Sequence, residues 1–268
     1  MQEIILIGAG TQVKVLVSAA RQAGMTVRAI YDDDPACWRQ SILGVEIRGP
    51  VSEARSTGLP AVLAYDDRKL CKAMAETLDL SWATLIHPQA FVNPSATVGP
   101  GSVILEGAIL QPSVIIGRHV LIAANATVAH DCTVGNYAHL WPGVDLAGGV
   151  HVGEGAFLCV GAIVIPNVRV GAWARVGPRA AVIRDVPDNV AVRGTPAKPV
   201  DDRQQPADDD DRSGPERGLM MWALWGTILT GLTGGVGRLI FLARRLVGWQ
   251  DNNSVGKRWR RAALARRR

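Results

Sequence analysis

Residues 98–134 read VGPGSVILEGAILQPSVIIGRHVLIAANATVAHDCTV, and every sixth residue from Val98 onward is aliphatic. The aliphatic row continues without exception: Val98, Ile104, Leu110, Ile116, Ile122, Val128, Val134, Leu140, Leu146, Val152, Leu158, Val164, Val170, Val176, Val182. Four positions after each member stands a small or β-branched residue, as at Ala108 and Ala126. A period of six fits neither a helix nor a simple alternating strand. It predicts a parallel β-helix in which three hexads form one triangular coil.

A second repeat, of eighteen residues, is superimposed on the hexads. Glycine follows the aliphatic residue at Gly99, Gly117, Gly135, Gly153 and Gly171. Eighteen residues make one full coil, so these glycines should stack along one edge of the prism. We expect the chain to turn tightly there, with the positive φ angles that glycine tolerates.

Net charge divides the chain into three parts. The total is +5, but residues 201–217 carry seven acidic and three basic residues, and residues 218–268 carry ten basic and one acidic. These segments contribute −4 and +9, so residues 1–200 sum to zero. A neutral body gives no support to nucleic-acid binding.

The cysteines and the N-terminus indicate a cytoplasmic protein. Cys37, Cys71, Cys132 and Cys159 form no CxxC pair and no zinc-ligand spacing, which favours a reducing compartment. Glu3 precedes only a short apolar run, so no signal peptide is expected.

The first 85 residues predict a small α/β Rossmann-like domain. An apolar strand at residues 3–7 is followed by Gly8-Ala9-Gly10, a helical stretch and a second strand that ends at Asp32-Asp33-Asp34. A glycine turn before a helix suits an anionic group, and an acidic residue after the second strand suits a ribose. Val13 occupies the third glycine position, so a purely structural turn remains the alternative.

Two neighbouring residues in the repeat have the chemistry of a general base. His130 occupies a position that faces away from the core, and Asp131 follows it directly. A carboxylate beside an imidazole fixes its tautomer and stabilises its cation. The alternative is a solvated surface histidine. His119 and His151 also face outward but lack a carboxylate neighbour, so we expect them to be structural.

Several motifs together resemble one enzyme family. They are Ile-Leu-Ile-Gly-Ala-Gly at residues 5–10, Tyr-Asp-Asp-Asp at 31–34, Leu-Ile-His-Pro at 85–88, Val-Ala-His-Asp-Cys-Thr-Val-Gly at 128–135 and Asp-Val-Pro-Asp-Asn-Val-Ala-Val-Arg-Gly-Thr-Pro-Ala-Lys at 185–198. The chain resembles the hexapeptide-repeat acetyltransferases of bacterial surface-sugar synthesis, both the sialic acid O-acetyltransferases and the UDP-amino-sugar N-acetyltransferases. The resemblance covers residues 3–199.

The resemblance implies a left-handed β-helix, a homotrimer, and acetyl-CoA bound between adjacent prisms. It makes His130 the catalytic base, with Asp131 orienting the ring. No metal is required. Acetyl-CoA contacts are implied at four positions: His139, Gly148, Val160 and Pro178.

The resemblance also implies a sugar-nucleotide or sialic acid site in the N-terminal domain. The residues are Gly10, Thr11, Gln12, Asp32, Asp33 and Tyr65. Two departures alter this site. Thr11 and Gln12 replace the family's Gly-His, and Tyr65-Asp66-Asp67 replaces a typical Gly-Asp-Asn. Acetyl transfer is therefore better supported than any particular acceptor, nitrogen or oxygen.

The C-terminal segments lie outside the resemblance. Residues 201–217 have the composition of an acidic disordered linker. Residues 219–237 form a nineteen-residue run without charge that contains Trp222 and Trp225 and is followed by arginines and Trp249. This apolar, basic tail (218–268) fits a membrane anchor on the cytoplasmic side. A helix that docks on protein, or disorder, are the alternatives.

These observations predict four segments and one activity. The segments are the N-terminal domain (1–85), the β-helix (86–200), the linker (201–217) and the tail (218–268). The activity is acetyl-CoA-dependent acetylation of a nucleotide-activated sugar or sialic acid. A non-catalytic sugar-nucleotide-binding or membrane-scaffolding β-helix, and an acetyltransferase with a non-sugar acceptor, are the competing interpretations.

Overall fold

The computed structural model describes residues 2–200, so the predicted linker and tail lie outside the described residues. The N-terminal part is a five-stranded sheet with two helices. Its strands are β1 (Glu3–Ile7), β2 (Thr26–Tyr31), β3 (Ser41–Ile42), β4 (Val45–Arg48) and β5 (Ala61–Leu63), and its helices are α1 (Val13–Gln22) and α2 (Arg68–Thr77). Two 3-10 helices cover Pro35–Cys37 and Val51–Thr57.

The sheet order is β3-β4-β2-β1-β5, and β1 pairs in parallel with both β2 and β5. Ile4, Ile5, Leu6 and Ile7 are all fully buried, because a central parallel strand is covered on both faces. The carboxyl ends of β2, β1 and β5 therefore lie side by side at one edge of the sheet.

The rest of the described chain is a parallel β-helix of very short strands. They are β6 (Leu85–Ile86), β7 (Phe91–Val92), β8 (Thr97–Val98), β9 (Val103–Ile104), β10 (Ile109–Leu110), β11 (Ile115–Ile116), β12 (Leu121–Ile122), β13 (Thr127–Val128), β14 (Thr133–Val134), β15 (His139–Leu140), β16 (Asp145–Leu146), β17 (His151–Val152), β18 (Phe157–Leu158), β19 (Ile163–Val164), β20 (Arg169–Val170), β21 (Arg175–Val176), β22 (Ala181–Val182), β23 (Ala191–Arg193) and β24 (Lys198–Pro199). The aliphatic row from Ile104 to Val182 is inside, with no member more than 3% exposed.

The strands form three sheets, one for each side of the prism. The first is here named the domain face, because the N-terminal domain packs on it. Its strand order is β24-β23-β21-β18-β15-β12-β9-β6. The other two are β22-β19-β16-β13-β10-β7 and β20-β17-β14-β11-β8. Parallel pairs join residues one coil apart, for example Thr127 with Asp145. These two sheets meet at a corner that is here named the free corner. It is formed by the turns at residues 111–114, 129–132, 147–150 and 165–168.

The expectation of positive φ angles at the stacked glycines was wrong. Gly99, Gly117, Gly135, Gly153 and Gly171 do not adopt left-handed backbone angles. They are required because successive coils approach closely: a Cβ on Gly135 would lie 2.7 Å from the backbone nitrogen of Glu154. The left-handed conformation falls instead on every sixth residue from Gly101 to Arg179, a series that includes Asp131.

The N-terminal domain and the β-helix share a hydrophobic core. Ile4, Leu6 and Val13 belong to the same buried cluster as Val103 and Leu105 of the domain face. The Lys72 ammonium on α2 also forms an ion pair with Glu154, at 2.6 Å. These contacts fix the carboxyl edge of the N-terminal sheet next to the prism. Among residues 2–200, no helix has the length and apolar character that crossing a membrane requires.

Candidate active site

His130 and Asp131 form an exposed pair at the free corner. The imidazole Nδ1 lies 2.7 Å from Asp131 Oδ2, and the two side chains are 63% and 65% exposed. Because an ionised carboxylate only accepts hydrogen bonds, this contact assigns the Nδ1 proton to the imidazole. Nε2 is then left with its lone pair, which is the arrangement of a general base.

Three hydrogen bonds hold the backbone of this pair. The His130 N–H donates to the Gln111 side-chain oxygen at 3.1 Å, and the Gly149 N–H donates to the His130 carbonyl at 3.0 Å. The Asp131 N–H donates to the Pro112 carbonyl at 3.1 Å. Asp131 itself occupies the left-handed turn position, with φ 61°, which aspartate tolerates better than most residues. The turn thereby sets its carboxylate beside the preceding ring.

Gly148 provides the space in which the imidazole lies. A Cβ at this position would be 2.7 Å from both Cε1 and Nε2 of His130. The φ angle of Gly148 is not left-handed, so its backbone conformation is open to other residues. The predicted acetyl-CoA contact at Gly148 thus stands directly against the predicted base.

The predicted sugar-nucleotide residues gather at the carboxyl edge of the N-terminal sheet. Gly8 has φ 104°, and the Tyr65 ring packs so closely that a Cβ on Gly8 would lie 2.7 Å from it. Gly10 precedes α1, whose N-cap residue Gln12 makes no side-chain cap. The first turn of α1 therefore keeps the character of an anion site. Burial, with Asp32 nearby, raises the Tyr65 pKa, so the phenol is a neutral hydrogen-bond donor.

The carboxylates of Asp32 and Asp33 carry structural hydrogen bonds. Asp32 accepts from the Ala9 N–H at 2.7 Å and from the Asp34 N–H at 2.8 Å. Asp33 accepts from the Val51 N–H at 2.9 Å. Asp32 therefore ties the glycine turn to the end of β2. The ribose or base contacts expected of Asp32 and Asp33 stay predictions.

Comparison with solved structures identifies the family. PerB from Caulobacter crescentus, solved with CoA and GDP-perosamine, is 38% identical with a TM-score of 0.71, over 75% of this chain and 98% of that one. The chain belongs to the hexapeptide-repeat sugar acetyltransferases. The family model for the bacterial transferase hexapeptide (six repeats) matches residues 113–148. Comparison with curated protein sequences gave no match.

Two further solved structures are similar to this chain. The acetyltransferase domain of PglB from Neisseria gonorrhoeae FA1090, in complex with acetyl coenzyme A, is 30% identical, with a TM-score of 0.70 over 74% of this chain and 99% of that one. WeeI from Acinetobacter baumannii AYE shares the fold at 21% identity, with a TM-score of 0.67 over 75% and 100%. The predicted fold class, a small α/β domain followed by a left-handed parallel β-helix, is confirmed. The protein is a CoA-dependent acyltransferase, as predicted.

The other residues for which contacts with acetyl-CoA are predicted lie away from the free corner. Val160, 42% exposed, and Pro178 follow the domain-face strands β18 and β21, and the Arg179 N–H donates to the Val160 carbonyl at 2.9 Å. Their corner and the free corner are the two edges of the β7-to-β22 sheet. Within one chain, Val160 and Pro178 are therefore separated from His130 by the width of one side of the prism. Their contacts with acetyl-CoA stay predictions.

His139 lies on the domain face, beneath the N-terminal domain. Only 4% of it is exposed, and its Nδ1 has no hydrogen-bond partner among residues 2–200. Burial, and then the Arg68 guanidinium, lower the His139 pKa to about 3, so the ring is neutral. The structure does not bring His139 together with His130, and its predicted contact with acetyl-CoA stays a prediction.

His119 is structural, as expected, but it is not solvated. Its ring stacks on Tyr137, with centroids 5.5 Å apart, and meets the edge of Trp82. His119 is only 5% exposed because Trp82 of the N-terminal domain packs against its ring on this side of the prism. No group of three or more His, Cys, Asp or Glu residues in the described part of the chain is arranged to hold a metal ion.

The buried histidines predict a loss of stability in acid. Burial, and then Arg118, lower the His119 pKa to about 4, and the His139 pKa is about 3. The unfolded chain takes up protons below about pH 6.5, whereas the folded chain does not. Stability should therefore fall as pH decreases from about 6.5 toward 4, by up to about 1.4 kcal/mol per pH unit for each histidine.

Chemical denaturation of the wild type and His119→Gln across this range measures the effect. The variant should show the shallower pH dependence. His151→Gln is the matched control, because His151 is exposed. Equal pH slopes for wild type and His119→Gln would contradict the prediction.

Proposed function

We propose that this acetyltransferase transfers the acetyl group of acetyl-CoA to the amino group of a nucleotide-activated amino sugar of the GDP-perosamine kind. The His130–Asp131 pair, with Nδ1 held at 2.7 Å and Nε2 beside Gly148, is the observation that carries the proposal. The likeness to PerB, solved with CoA and GDP-perosamine, supports this acceptor class.

The reaction needs one base and no metal. His130 Nε2 accepts a proton from the sugar amine while the nitrogen attacks the thioester carbonyl. The C–N bond forms, the C–S bond breaks, and the imidazolium returns its proton to the CoA thiolate. Asp131 stabilises the imidazolium, and backbone N–H groups stabilise the oxyanion of the tetrahedral intermediate.

A product assay tests the activity directly. Purified protein is incubated with acetyl-CoA and, in separate reactions, with GDP-perosamine, UDP-linked amino sugars or sialic acid. Mass spectrometry then measures the masses of the products. A gain of one acetyl group on an amino-sugar nucleotide is expected. Acetylation of sialic acid alone would replace the proposed acceptor, and no acetylation of any substrate by the wild type would reject the function.

We propose that the active site is completed in a homotrimer. The free corner with His130 is opposite the domain face, which carries the N-terminal domain and its carboxyl edge. One chain therefore holds the base and the proposed sugar-nucleotide edge on opposite sides of its prism. A second copy that presents its free corner to this edge would bring them together.

Mixing of inactive variants tests this arrangement. His130→Ala and Asp32→Ala chains should each lose activity, the second because it releases the glycine turn. Co-expressed and randomly assembled, they should restore about a quarter of the sites in a ring of three. Light scattering supplies the subunit number. Mixtures as inactive as the separate variants would contradict a shared site.

We propose that residues 218–268 bring the enzyme to the cytoplasmic face of a membrane. The uncharged run at 219–237, its tryptophans and the +9 charge support a contact with anionic lipid. Removing residues 201–268 should preserve folding and soluble turnover, because the hexad register ends at Val186 and the buried core of the β-helix ends at Val192. It should also abolish membrane association.

Cell fractionation of the full-length and truncated proteins measures their association with the membrane. Full-length protein that stays in the soluble fraction would exclude the anchor. Truncated protein that remains with the membrane would assign the contact to residues 1–200.

A further inference from the structure

The strand order fixes how an elongated ligand can cross the carboxyl edge of the N-terminal sheet. β2, β1 and β5 are consecutive neighbours, and they end at Asp32, at the Gly8–Gly10 turn and at Tyr65-Asp66. A diphosphate over the central glycine turn leaves one end of the ligand at β2 and the other at β5. With the nucleoside at β2, the hexose lies at β5.

The β5 end is also the end next to the β-helix. The guanidinium of Arg68, at the start of α2, lies 4.6 Å from the centroid of the Phe157 ring on the domain face. Ala61, the first residue of β5, forms a β-bridge with Trp82, just before the first coil. This bridge places the β5 side of the sheet next to the β-helix. A hexose at β5 therefore lies beside the β-helix of its own chain. A second copy that presents its free corner there would bring its His130 close to this hexose.

The carboxylates at this edge divide into two kinds. Asp32, Asp33, Asp34 and Asp67 all accept hydrogen bonds from backbone N–H groups, and Asp67 caps α2 through Lys69 and Leu70. Asp66 accepts none from the backbone in the described part of the chain. Its Oδ1 is buried and has no hydrogen-bond partner among those residues. The neighbouring carboxylates therefore have a structural role as hydrogen-bond acceptors of the backbone, whereas Asp66 has no such role.

One side chain does hold Asp66. The Thr11 hydroxyl donates to Asp66 Oδ2 at 2.6 Å, and this contact is solvent-exposed. It joins the glycine turn after β1 to the loop after β5. Thr11 is one of the two residues that depart from the family resemblance, which has glycine at this position. The departure therefore supplies the hydroxyl that orients the carboxylate.

We propose that Asp66, positioned by Thr11, is the subsite that binds the hydroxyl groups of the acceptor hexose. The inference rests on the proposed function, since it assumes a sugar-nucleotide ligand at this edge. A carboxylate accepts hydrogen bonds from sugar hydroxyls, and a charged acceptor makes these bonds stronger than a neutral one. Thr11 is a positioning residue that fixes the carboxylate without touching the reacting atoms.

Calorimetry with GDP-perosamine and with GDP separates a hexose subsite from a nucleotide site. Asp66→Asn keeps the shape of the side chain and removes its charge. It should weaken binding of GDP-perosamine by at least about tenfold and leave the affinities for GDP and for CoA unchanged. Thr11→Val should show a smaller loss of the same kind, and Thr11→Ser should retain wild-type binding.

The remaining outcomes overturn the inference. Equal losses for GDP-perosamine and GDP would mean that Asp66 supports the nucleotide or the loop. Unchanged binding in Asp66→Asn, or a wild type that binds GDP-perosamine no more tightly than GDP, would exclude a hexose subsite at Asp66. These binding results are independent of acetyl transfer, which tests the proposed function separately.

Discussion

His130→Ala should lower kcat by about 10²–10⁴-fold and leave the fold intact. The side chain is 63% exposed and its ring has no part in the aliphatic core, so its removal costs no packing. What is lost is the proton acceptor whose Nε2 lies beside Gly148. Steady-state turnover with acetyl-CoA and a saturating sugar nucleotide measures the change, with circular dichroism as the check of folding.

The matched control is His151→Ala, which removes an exposed histidine from the neighbouring strand β17. Its Nδ1 contacts the Gly149 carbonyl and no carboxylate, so turnover should stay at the wild-type level. Asp131→Asn should cost less than His130→Ala, because the side chain still orients the ring. Wild-type turnover in His130→Ala would refute the assignment of the base, and a larger loss in Asp131→Asn would transfer that role to Asp131.

Gly148→Ala should reduce kcat by roughly 10²-fold, although no reacting group is removed. The φ angle of Gly148 allows alanine, so the backbone is not strained. The added Cβ would stand 2.7 Å from Nε2 and Cε1 of His130, so the imidazole must turn away from Asp131 or from the reacting nitrogen. A base displaced by about an ångström loses most of its effect.

Kinetics distinguish this role from a contact with acetyl-CoA. If Gly148 makes room for the base, kcat falls while KM for acetyl-CoA and the unfolding midpoint stay unchanged. A raised KM at unchanged kcat would instead favour the predicted CoA contact. Gly143→Asn is the control, because the nearest atom to its Cβ is 4.0 Å away and Asn125 holds the same left-handed position one coil earlier.

The repeat and the His130–Asp131 pair were predictable because both are encoded within a few residues. Burial of one aliphatic residue every six fixes the strand spacing, and Asp131 reaches His130 as its direct neighbour in the chain. The glycine turn before α1 was equally local. Such features need no knowledge of which distant segments meet.

The reason for the stacked glycines was not predictable in the same way. Their spacing is visible in the sequence, but a left-handed turn and a close approach of two coils produce the same spacing. The distance from Gly135 to the backbone at Glu154 appears only when coils are stacked. The burial of His119 likewise depends on Trp82, which lies 37 residues earlier in the chain and packs against its ring.

By itself, the sequence determined the β-helix and its core and predicted the His130–Asp131 pair, because each follows from local periodicity or adjacency. Only the tertiary structure decided which side of the prism the N-terminal domain covers. That packing buries His139 and sets His130 on the opposite corner, while the strand order of the N-terminal sheet brings Thr11 to Asp66 across 55 residues of chain. Such contacts depend on packing between segments far apart in the chain, and no local pattern of residues specifies them.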